Sequence, residues 1–405
     1  MNILLISSFL PYPLFTGGHI RLFNLIKLLS KKHSITLVCE KRESQKQNDV
    51  RELEKYCKIV RVIPRRKQWS MGNILKTGFS ISPFLVTGHT SRLMKEEIKS
   101  LISQTQFDLI HIETSYVMQN LRSGKLGIPI VLVEHNIEYL VYKRFVDNMP
   151  LYLRPILYLD ILKLKYWEER MWRKATKLIA VSESEKKIMS LEKKDVVVVP
   201  NGVDVNKYQI SSIRQAQDKN RKEEKRVLFI GDFRWIQNRD ALTQIILDIW
   251  PKLRAEVIPS LTEGLKLWVV GRKIPDSIKK LTRDKSIFFD ENAPADTQLI
   301  YKNAYLLLAP INVGGGTSFK ILEAMASGVP VITTRLGNAI GAQDNLEILV
   351  AHSPKDFVQR IIELFENKAL YSKISTNARK LVEEKFNWDK IANDLNSVYE
   401  SVVYA

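Results

Sequence analysis

The stretch that decides the fold is Ala309-Pro-Ile-Asn-Val-Gly-Gly-Gly-Thr-Ser-Phe-Lys-Ile-Leu-Glu-Ala-Met-Ala-Ser-Gly-Val-Pro-Val-Ile-Thr333. An apolar run ends at Ala309, three glycines follow, and a segment with apolar residues at helical spacing leads to a second β-branched run. A strand, a glycine loop, a helix and a strand in this order predict a parallel sheet covered by helices. The loop lacks the Gly-Lys-Ser/Thr of a P-loop, which excludes that nucleotide-binding motif.

The same stretch carries residues suited to bind an anion. Its glycines allow the backbone to approach a ligand closely, and Thr317 or Ser318 can cap the helix that follows. Lys320 falls in the first helical turn, where a cation opposes the helix dipole, so its position makes sense if an anion binds at the helix N-terminus. Glu323, one turn further on, can accept hydrogen bonds from paired hydroxyls such as those of a ribose. A glycine-rich turn that caps a core helix is the alternative interpretation.

Short apolar runs alternate with longer amphipathic segments over the rest of the chain, and this pattern predicts two α/β units. The first half has seven predicted strands: Asn2–Ser7, Ser34–Cys39, Ile59–Ile63, Leu109–Ile112, Ile130–Glu134, Lys177–Val181 and Val196–Val199. The second half has six: Arg226–Ile230, Lys266–Val270, Ile287–Phe289, Ala304–Ala309, Pro330–Thr333 and Leu346–Val350. The polar stretch Ile210–Arg226 predicts a linker between the units.

Composition limits the classes of function. A chain of 405 residues is expected to form two domains. Its 62 Lys and Arg against 44 Asp and Glu give a net charge of +18, which favours an anionic partner such as nucleic acid, anionic lipid or a diphosphate. Zinc-finger spacing, RNP-type aromatics and basic heptad regions are missing, so we expect no specific nucleic-acid partner. Two cysteines, Cys39 and Cys57, do not make a disulfide framework and favour reduced thiols in the cytoplasm.

The stretch Val141–Lys174 has two interpretations. It mixes aromatic and aliphatic residues with Lys163, Lys165, Arg170, Arg173 and Lys174, a composition that suits the interface of an anionic membrane. It also suits an ordinary helix pair packed on the first domain, which is the interpretation we favour. No stretch approaches the apolar length of a membrane span. We therefore expect a cytoplasmic protein, with peripheral contact at the inner face of the membrane as an option.

Several motifs, in order and at matching spacing, resemble those of glycosyltransferase family 4, the retaining enzymes with the GT-B fold. They are the loop quoted above, Gly17-Gly18, Val181-Ser-Glu-Ser-Glu185, Pro200-Asn-Gly-Val-Asp204, Phe229–Ala241 and Val270-Gly-Arg272. The resemblance covers nearly the whole chain and implies two Rossmann-like, doubly wound parallel-sheet domains that face each other across a cleft. Residues 1–205 would bind the acceptor and residues 206–387 the donor, while the segment 388–405 would form a helix that packs back towards the first domain.

The resemblance also implies site residues. The donor would contact Gly17, Gly18, Arg234, Arg272, Gly315, Gly316, Thr317, Ser318, Lys320 and Glu323. His135 would lie beside the sugar near the reacting carbon, and Arg21 and Glu113 would line the acceptor side. His135, Glu323 and Lys320 form the expected catalytic set.

This sequence departs from the family pattern at two places. Gly315 replaces the first of the two glutamates that the family places eight positions apart, and Glu323 matches the second. Asp232 and Gln237 stand where the family has an Arg and a Lys after the first strand of the donor domain. We expect Lys320 to take over the charge that this basic pair would supply.

The implied function is transfer of a sugar from a UDP- or GDP-sugar to a glycan or lipid-linked acceptor, with retention of configuration. No Asp-x-Asp motif is present, so we expect neither a required metal nor another cofactor. Two alternatives remain: a sugar-nucleotide epimerase of the same architecture, and a catalytically inactive module that scaffolds polysaccharide assembly.

Overall fold

A computed structural model describes residues 1–121, 127–147, 149–208, 225–256, 264–292, 296–312 and 317–404. The chain divides into two compact units, one formed by Met1–Pro200 with Trp388–Ala405 and the other by Asn201–Asn387. The sequence prediction placed this boundary at 205/206, so the motif that begins at Pro200 contributes all but its first residue to the second unit. Each unit is described separately below.

The first unit is built on a seven-stranded, all-parallel sheet with the order β3-β2-β1-β4-β5-β6-β7. The strands are β1 Asn2–Ser7, β2 Ser34–Lys41, β3 Ile59–Pro64, β4 Leu109–Glu113, β5 Ile130–Glu134, β6 Lys177–Ala180 and β7 Val196–Val198. The inner strands β1, β2, β4, β5 and β6 are buried along most of their length, as expected for parallel strands covered on both faces, whereas the edge strands β3 and β7 are partly exposed. All seven predicted strands are confirmed, within two residues at each end.

The described helices of the first unit cover this sheet. They are α1 Gly17–Leu29, α2 Gln47–Glu54, α3 Met71–Gly78, α4 Phe84–Gly88, α5 Arg92–Gln104, α6 Glu138–Asp147, α7 Arg154–Lys174 and α8 Glu183–Met189, with a 3-10 turn at Ser115–Asn120. The stretch Val141–Lys174 falls on α6 and α7, a packed helix pair that sends Ile161, Leu164, Met171 and Trp172 into the core. The segment after Asn387 forms a helix, Trp388–Val403, that packs on α1 within this unit.

The second unit has a six-stranded parallel sheet with the order β10-β9-β8-β11-β12-β13. Its strands are β8 Lys225–Asp232, β9 Leu265–Arg272, β10 Ile287–Asp290, β11 Leu306–Ala309, β12 Val331–Thr333 and β13 Leu349–Val350. All six predicted strands are confirmed, although β13 starts three residues later than expected. The predicted linker Ile210–Arg226 falls mostly on residues 209–224, outside the described ranges.

The described helices of the second unit are α9 Ile236–Gln244, α10 Trp250–Glu256, α11 Asp276–Lys279, α12 Gln298–Lys302, α13 Phe319–Ala326, α14 Pro354–Glu366 and α15 Lys368–Lys385. A π-helical turn, Ile245–Ile249, joins α9 to α10; the final helix of the first unit, Trp388–Val403, is α16. Within the described ranges, no helix combines the length and apolar character needed to cross a bilayer.

In each sheet, the edge formed by the carboxyl ends of the strands is the expected place for a ligand. In parallel α/β sheets, ligands bind outside the carboxyl ends of the strands, near the point where the strand order reverses. That point lies between β1 and β4 in the first unit and between β8 and β11 in the second. The residues after β4, β5, β8 and β11 are therefore those to examine for function.

Candidate functional site

Two glycines shape the carboxyl end of β8 and β9 in the second unit. Gly231 pairs with Gly271 in the sheet, and a Cβ added to Gly271 would lie 1.8 Å from the Gly231 carbonyl oxygen. A Cβ added to Gly231 would lie within 3 Å of three atoms of the Asn238 side chain. Only glycine fits at either position without displacement, and this close packing brings Asn238 over the strand ends.

Gly271→Ala is therefore expected to lower the free energy of unfolding by about 3 kcal/mol or more, because the new methyl group would overlap backbone atoms that cannot move alone. Urea denaturation of the full chain measures this. Gly72→Ala is the control, since a Cβ there meets no atom within 4 Å, and it should be close to neutral. Equal stability of the two variants would contradict the geometry.

Lys320 is held by Asn238. The Lys320 Nζ donates to Asn238 Oδ1 at 2.8 Å and lies 5.0 Å from the centroid of the Phe229 ring. The Asn238 amide in turn donates to the Asp232 carbonyl at 2.8 Å, so the lysine is fixed over the end of β8. Burial lowers the pKa of the Lys320 ammonium to about 8, although the charge of Glu323 raises it. A bound anion would stabilise the charged form of this ammonium and so oppose the effect of burial.

Glu323, also on α13, is oriented by hydroxyl groups. Tyr301 Oη donates to Glu323 Oε2 at 3.0 Å, Thr297 Oγ1 lies 3.5 Å from the same oxygen, and Tyr208 Oη is 2.7 Å from Thr297 Oγ1. Burial raises the pKa of the Glu323 carboxyl, and these hydroxyl donors oppose the rise. A carboxylate can accept several hydrogen bonds, and contact of Glu323 with a ribose diol stays a prediction.

The start of α13 is fixed by the Pro200–Asp204 motif. The buried Asn201 donates from Nδ2 to the Thr317 carbonyl at 2.9 Å. Arg379 on α15 donates to the carbonyls of Val205 and Tyr208, which follow the motif, and to the carbonyl of Ala326, which ends α13. It thereby links the segment after the motif to the end of α13. Sequence reasoning assigned no role to Asn201 or Arg379 at this loop, since their partners are backbone atoms far along the chain.

The other predicted donor residues vary in placement. Ser318 occupies the N-cap position of α13, but its side chain makes no capping hydrogen bond, contrary to expectation. Arg234 pairs with Asp232, with Nε 2.9 and 3.0 Å from the two carboxylate oxygens. The Asp232 carboxylate therefore neutralises much of the charge of Arg234. Arg272 ends β9 with an exposed side chain. Gly315 and Gly316 lie outside the described residues.

The first unit has a buried chain of polar groups at the ends of β4 and β5. Glu113 is fully buried between two histidines: His111 Nε2 lies 3.0 Å from Oε1, and His135 Nε2 contacts Oε2. His111 Nδ1 lies 2.5 Å from the hydroxyl of Tyr399 on α16. Burial alone would raise the pKa of Glu113, but the charge of His135 and the hydrogen bonds from both histidines hold it well below its usual range.

An ionised Glu113 fixes the Nε2 protons of the two histidines. Since the carboxylate only accepts, both imidazoles must donate to it from Nε2–H. In its neutral form, His111 accepts from the Tyr399 hydroxyl at Nδ1, and His135 presents its Nδ1 away from Glu113. The histidine predicted beside the sugar is thus held in one ring orientation, with its Nε2–H directed to Glu113.

Gly18 lies against this histidine. A Cβ at Gly18 would be 3.3 Å from Phe9 Cζ and 4.0 Å from His135 Cε1, so glycine keeps space beside the imidazole. Gly17 starts α1, and His19 Nδ1 lies 2.6 Å from Thr16 Oγ1. Burial, helped by the charges of Arg42 and His135, lowers the pKa of His19 to about 4, so it is neutral at pH 7. Sequence reasoning did not single out His19, although it adjoins Gly17-Gly18.

The two residues predicted to line the acceptor side have no exposed surface. Arg21 is fully buried, and its guanidinium donates to the carbonyls of Val199 at 2.9 Å and Pro200 at 2.6 Å. These contacts fix the backbone that directly follows β7. Glu113 is equally buried and contacts His135. Direct contact of either residue with an acceptor stays a prediction, and the geometry favours a supporting role for both.

Comparison with known proteins agrees with this organisation. Residues 15–207 match the model described as Glycosyltransferase Family 4, and residues 224–367 match Glycosyl transferases group 1. An uncharacterised 44.6 kDa protein from the cps region of Klebsiella pneumoniae is 24% identical over 97% of this chain and 98% of its own length. The capsular polysaccharide biosynthesis glycosyltransferase CapM of Staphylococcus aureus is 28% identical over 56% of this chain and 62% of its own.

Solved structures show the same fold. Sucrose-phosphate synthase from Thermosynechococcus elongatus superposes with a TM-score of 0.70 at 16% identity and covers 100% of both chains. Anabaena Alr3699/HepE, in complex with UDP and glucose, has a TM-score of 0.64 at 17% identity and covers 99% of this chain and 100% of its own. With two parallel-sheet α/β units that match two glycosyltransferase models, the chain is a glycosyltransferase of the two-domain GT-B fold, similar to family 4.

Proposed function

We propose that the chain transfers a sugar from a UDP- or GDP-sugar to a glycan or lipid-linked acceptor, with retention of configuration, and that it does so without a required metal. The observation that carries the donor assignment is the placement of Lys320 and Glu323 one turn apart on α13, at the carboxyl edge of the second sheet, each fixed by a neighbouring side chain. UDP and glucose bound to Alr3699/HepE support a nucleotide-sugar donor.

The proposed roles follow from the charge that develops during transfer. Departure of a nucleoside diphosphate builds negative charge on the β-phosphate and positive character at the anomeric carbon, so catalysis rests on positioning and charge stabilisation. Lys320 and the first N–H groups of α13, from Thr317 and Ser318 onward, would bind the diphosphate. Glu323 would bind the ribose, and His135 would orient the sugar. Gly17, Gly18 and Arg272 are proposed to assist at the phosphates.

Surface polysaccharide assembly is the proposed setting. The relatives named above include a protein of a cps region and a capsular polysaccharide glycosyltransferase. Acceptors in such assembly are sugars or lipid-linked sugars, which suits a peripheral contact of this basic chain with an anionic membrane.

The test is a turnover assay with a UDP- or GDP-sugar, with and without a lipid-linked or free glycan. The proposal predicts release of nucleoside diphosphate that requires the acceptor. Conversion of the donor sugar without an acceptor would support the epimerase alternative. Failure to bind any nucleotide would support the inactive scaffold, which the replacement of the usual glutamate by Gly315 motivates.

A further inference from the structure

The region around α3 combines exposed apolar side chains with positive charge. Between Lys55 and Lys95 the sequence has nine Lys or Arg residues and no Asp or Glu. Within it, the α3 surface consists of Trp69, Met71, Ile74, Leu75, Phe79 and Ile81. Phe79 is 91% exposed, Trp69 80% and Ile81 79%. Exposed apolar groups this large and this close together usually mark an interaction site.

The α3 surface is part of a folded segment. Ser70 caps the helix by accepting from the Asn73 N–H at 3.3 Å, and the Asn73 side chain donates back to the Gln68 carbonyl at 2.9 Å. Lys163 on α7 donates from Nζ to the carbonyls of Thr77 and Ser80, both at 2.8 Å. These polar contacts fix one side of α3 to the unit, while Met71, Ile74 and Leu75, at helical spacing, stay exposed.

The neighbouring helix α7 extends this surface. Leu159 and Leu162, which precede the anchoring Lys163, are each 61% exposed, and Ile156 is 72% exposed. They lie three residues apart, so they share a face of α7. The basic side chains Arg66, Lys67 and Lys76 on or beside α3 are also exposed.

We infer that the α3 surface, with this face of α7, docks on an anionic phospholipid bilayer. Aromatic and aliphatic side chains beside Lys and Arg are the composition of a helix that lies in a membrane interface, with the apolar groups among the acyl chains and the cations at the headgroups. The absence of acidic residues over 41 consecutive positions, from Lys55 to Lys95, supplies the charge complementarity. A protein partner of mixed charge would not require it.

This inference rests on the proposed function, because a lipid-linked acceptor is what would require membrane docking. Docking itself can be tested without donor or acceptor. The full chain is sedimented with vesicles of phosphatidylcholine, with or without about one-third phosphatidylglycerol. We expect binding that needs the anionic lipid and weakens with salt. Nucleotide binding, measured in parallel by thermal shift, separates failure of docking from failure of the proposed donor site.

Two variants and their matched controls locate the surface. Phe79→Ser/Ile81→Ser should weaken vesicle binding roughly tenfold or more, because two exposed side chains no longer enter the bilayer. Leu191→Ser, at a residue 83% exposed elsewhere in the same unit, should leave it unchanged. Arg66→Gln/Lys67→Gln should weaken binding by about fivefold per charge. The control Lys187→Gln/Lys194→Gln removes the same net charge from another exposed site and should have a smaller effect.

The melting temperature of each variant, all at exposed positions, should match that of the wild type. Binding that is equal for all variants, or no binding to anionic vesicles, would overturn the inference. A dimer that Phe79→Ser/Ile81→Ser dissociates, seen by light scattering, would instead assign the surface to a second copy of the chain.

Discussion

We expect Lys320→Gln to lower kcat/KM by about 100- to 1,000-fold, because the substitution removes a group that stabilises developing charge. The amide keeps much of the side-chain length but cannot balance the charge on a leaving diphosphate. The loss should be larger in kcat than in donor binding, since negative charge grows in the transition state. Initial rates at several donor concentrations separate the two parameters.

The control for this variant is Lys373→Gln, an exposed lysine on α15 in the same unit, which should have wild-type kinetics. Asn238→Ala should give an intermediate loss, since it removes only the group that positions the Lys320 ammonium. Wild-type rates for Lys320→Gln would remove this lysine from the mechanism.

The pH dependence of donor binding follows from the same lysine. The pKa of Lys320 is lowered to about 8, so the ammonium is largely charged at pH 7 and loses its proton as the pH rises through about 8. Donor affinity in wild type should therefore fall as the pH rises above about 8, because the bound diphosphate raises the pKa of Lys320 and the deprotonated free enzyme must take up a proton to bind the donor. The fall should vanish in Lys320→Gln, which has no such proton to lose.

Glu113→Gln is expected to lower kcat by about 10- to 100-fold, a loss typical of a misplaced reacting group, and to destabilise the first unit. A glutamine can accept a hydrogen bond at its oxygen, but its NH2 group would face the N–H of the second histidine. One imidazole must then change tautomer or turn away, and His135 loses its fixed orientation. The uncompensated buried groups should cost about 3 kcal/mol in the free energy of unfolding.

Tyr399→Phe is the matched control, because it removes a hydrogen bond at the far end of the same chain and leaves the Glu113 carboxylate intact. It should cost about 1 kcal/mol of stability and leave kcat near wild type. Glu113→Gln with normal kcat at a temperature where it is folded would show that His135 does not need this carboxylate. An equal loss of kcat in both variants would indicate a structural effect alone.

Much of the fold could be predicted because its signals are local. The thirteen strands among the described residues are short β-branched or apolar runs, and parallel strands buried on both faces differ clearly in pattern from amphipathic helices. The Lys320 and Glu323 pair could be singled out because a cation in a first helical turn is out of place without an anion. The exposed face of α3 could not be identified, since an apolar stripe at helical spacing is normally a buried one.

The contacts that position the site residues could not be predicted from the sequence. Asn238, Tyr301 and Asn201 approach Lys320, Glu323 and Thr317 from positions 22 to 116 residues away along the chain. The chain of groups around Glu113 joins a strand to a C-terminal helix 288 residues beyond His111. The resemblance implied that Arg21 lines the acceptor side, but its guanidinium donates to the Val199 and Pro200 carbonyls.

Nucleotide binding by the second unit tests the central proposal most directly. The melting temperature of the full chain is measured with UDP, GDP and ADP, with and without their sugars, for wild type, Glu323→Ala and the exposed control Glu366→Ala. A selective ligand at a hundred times its dissociation constant stabilises by about 2.7 kcal/mol. We predict that one nucleotide raises the melting temperature of wild type and Glu366→Ala, and raises that of Glu323→Ala much less. If no nucleotide shifts any of the three proteins, the donor site proposed around Lys320 and Glu323 is contradicted.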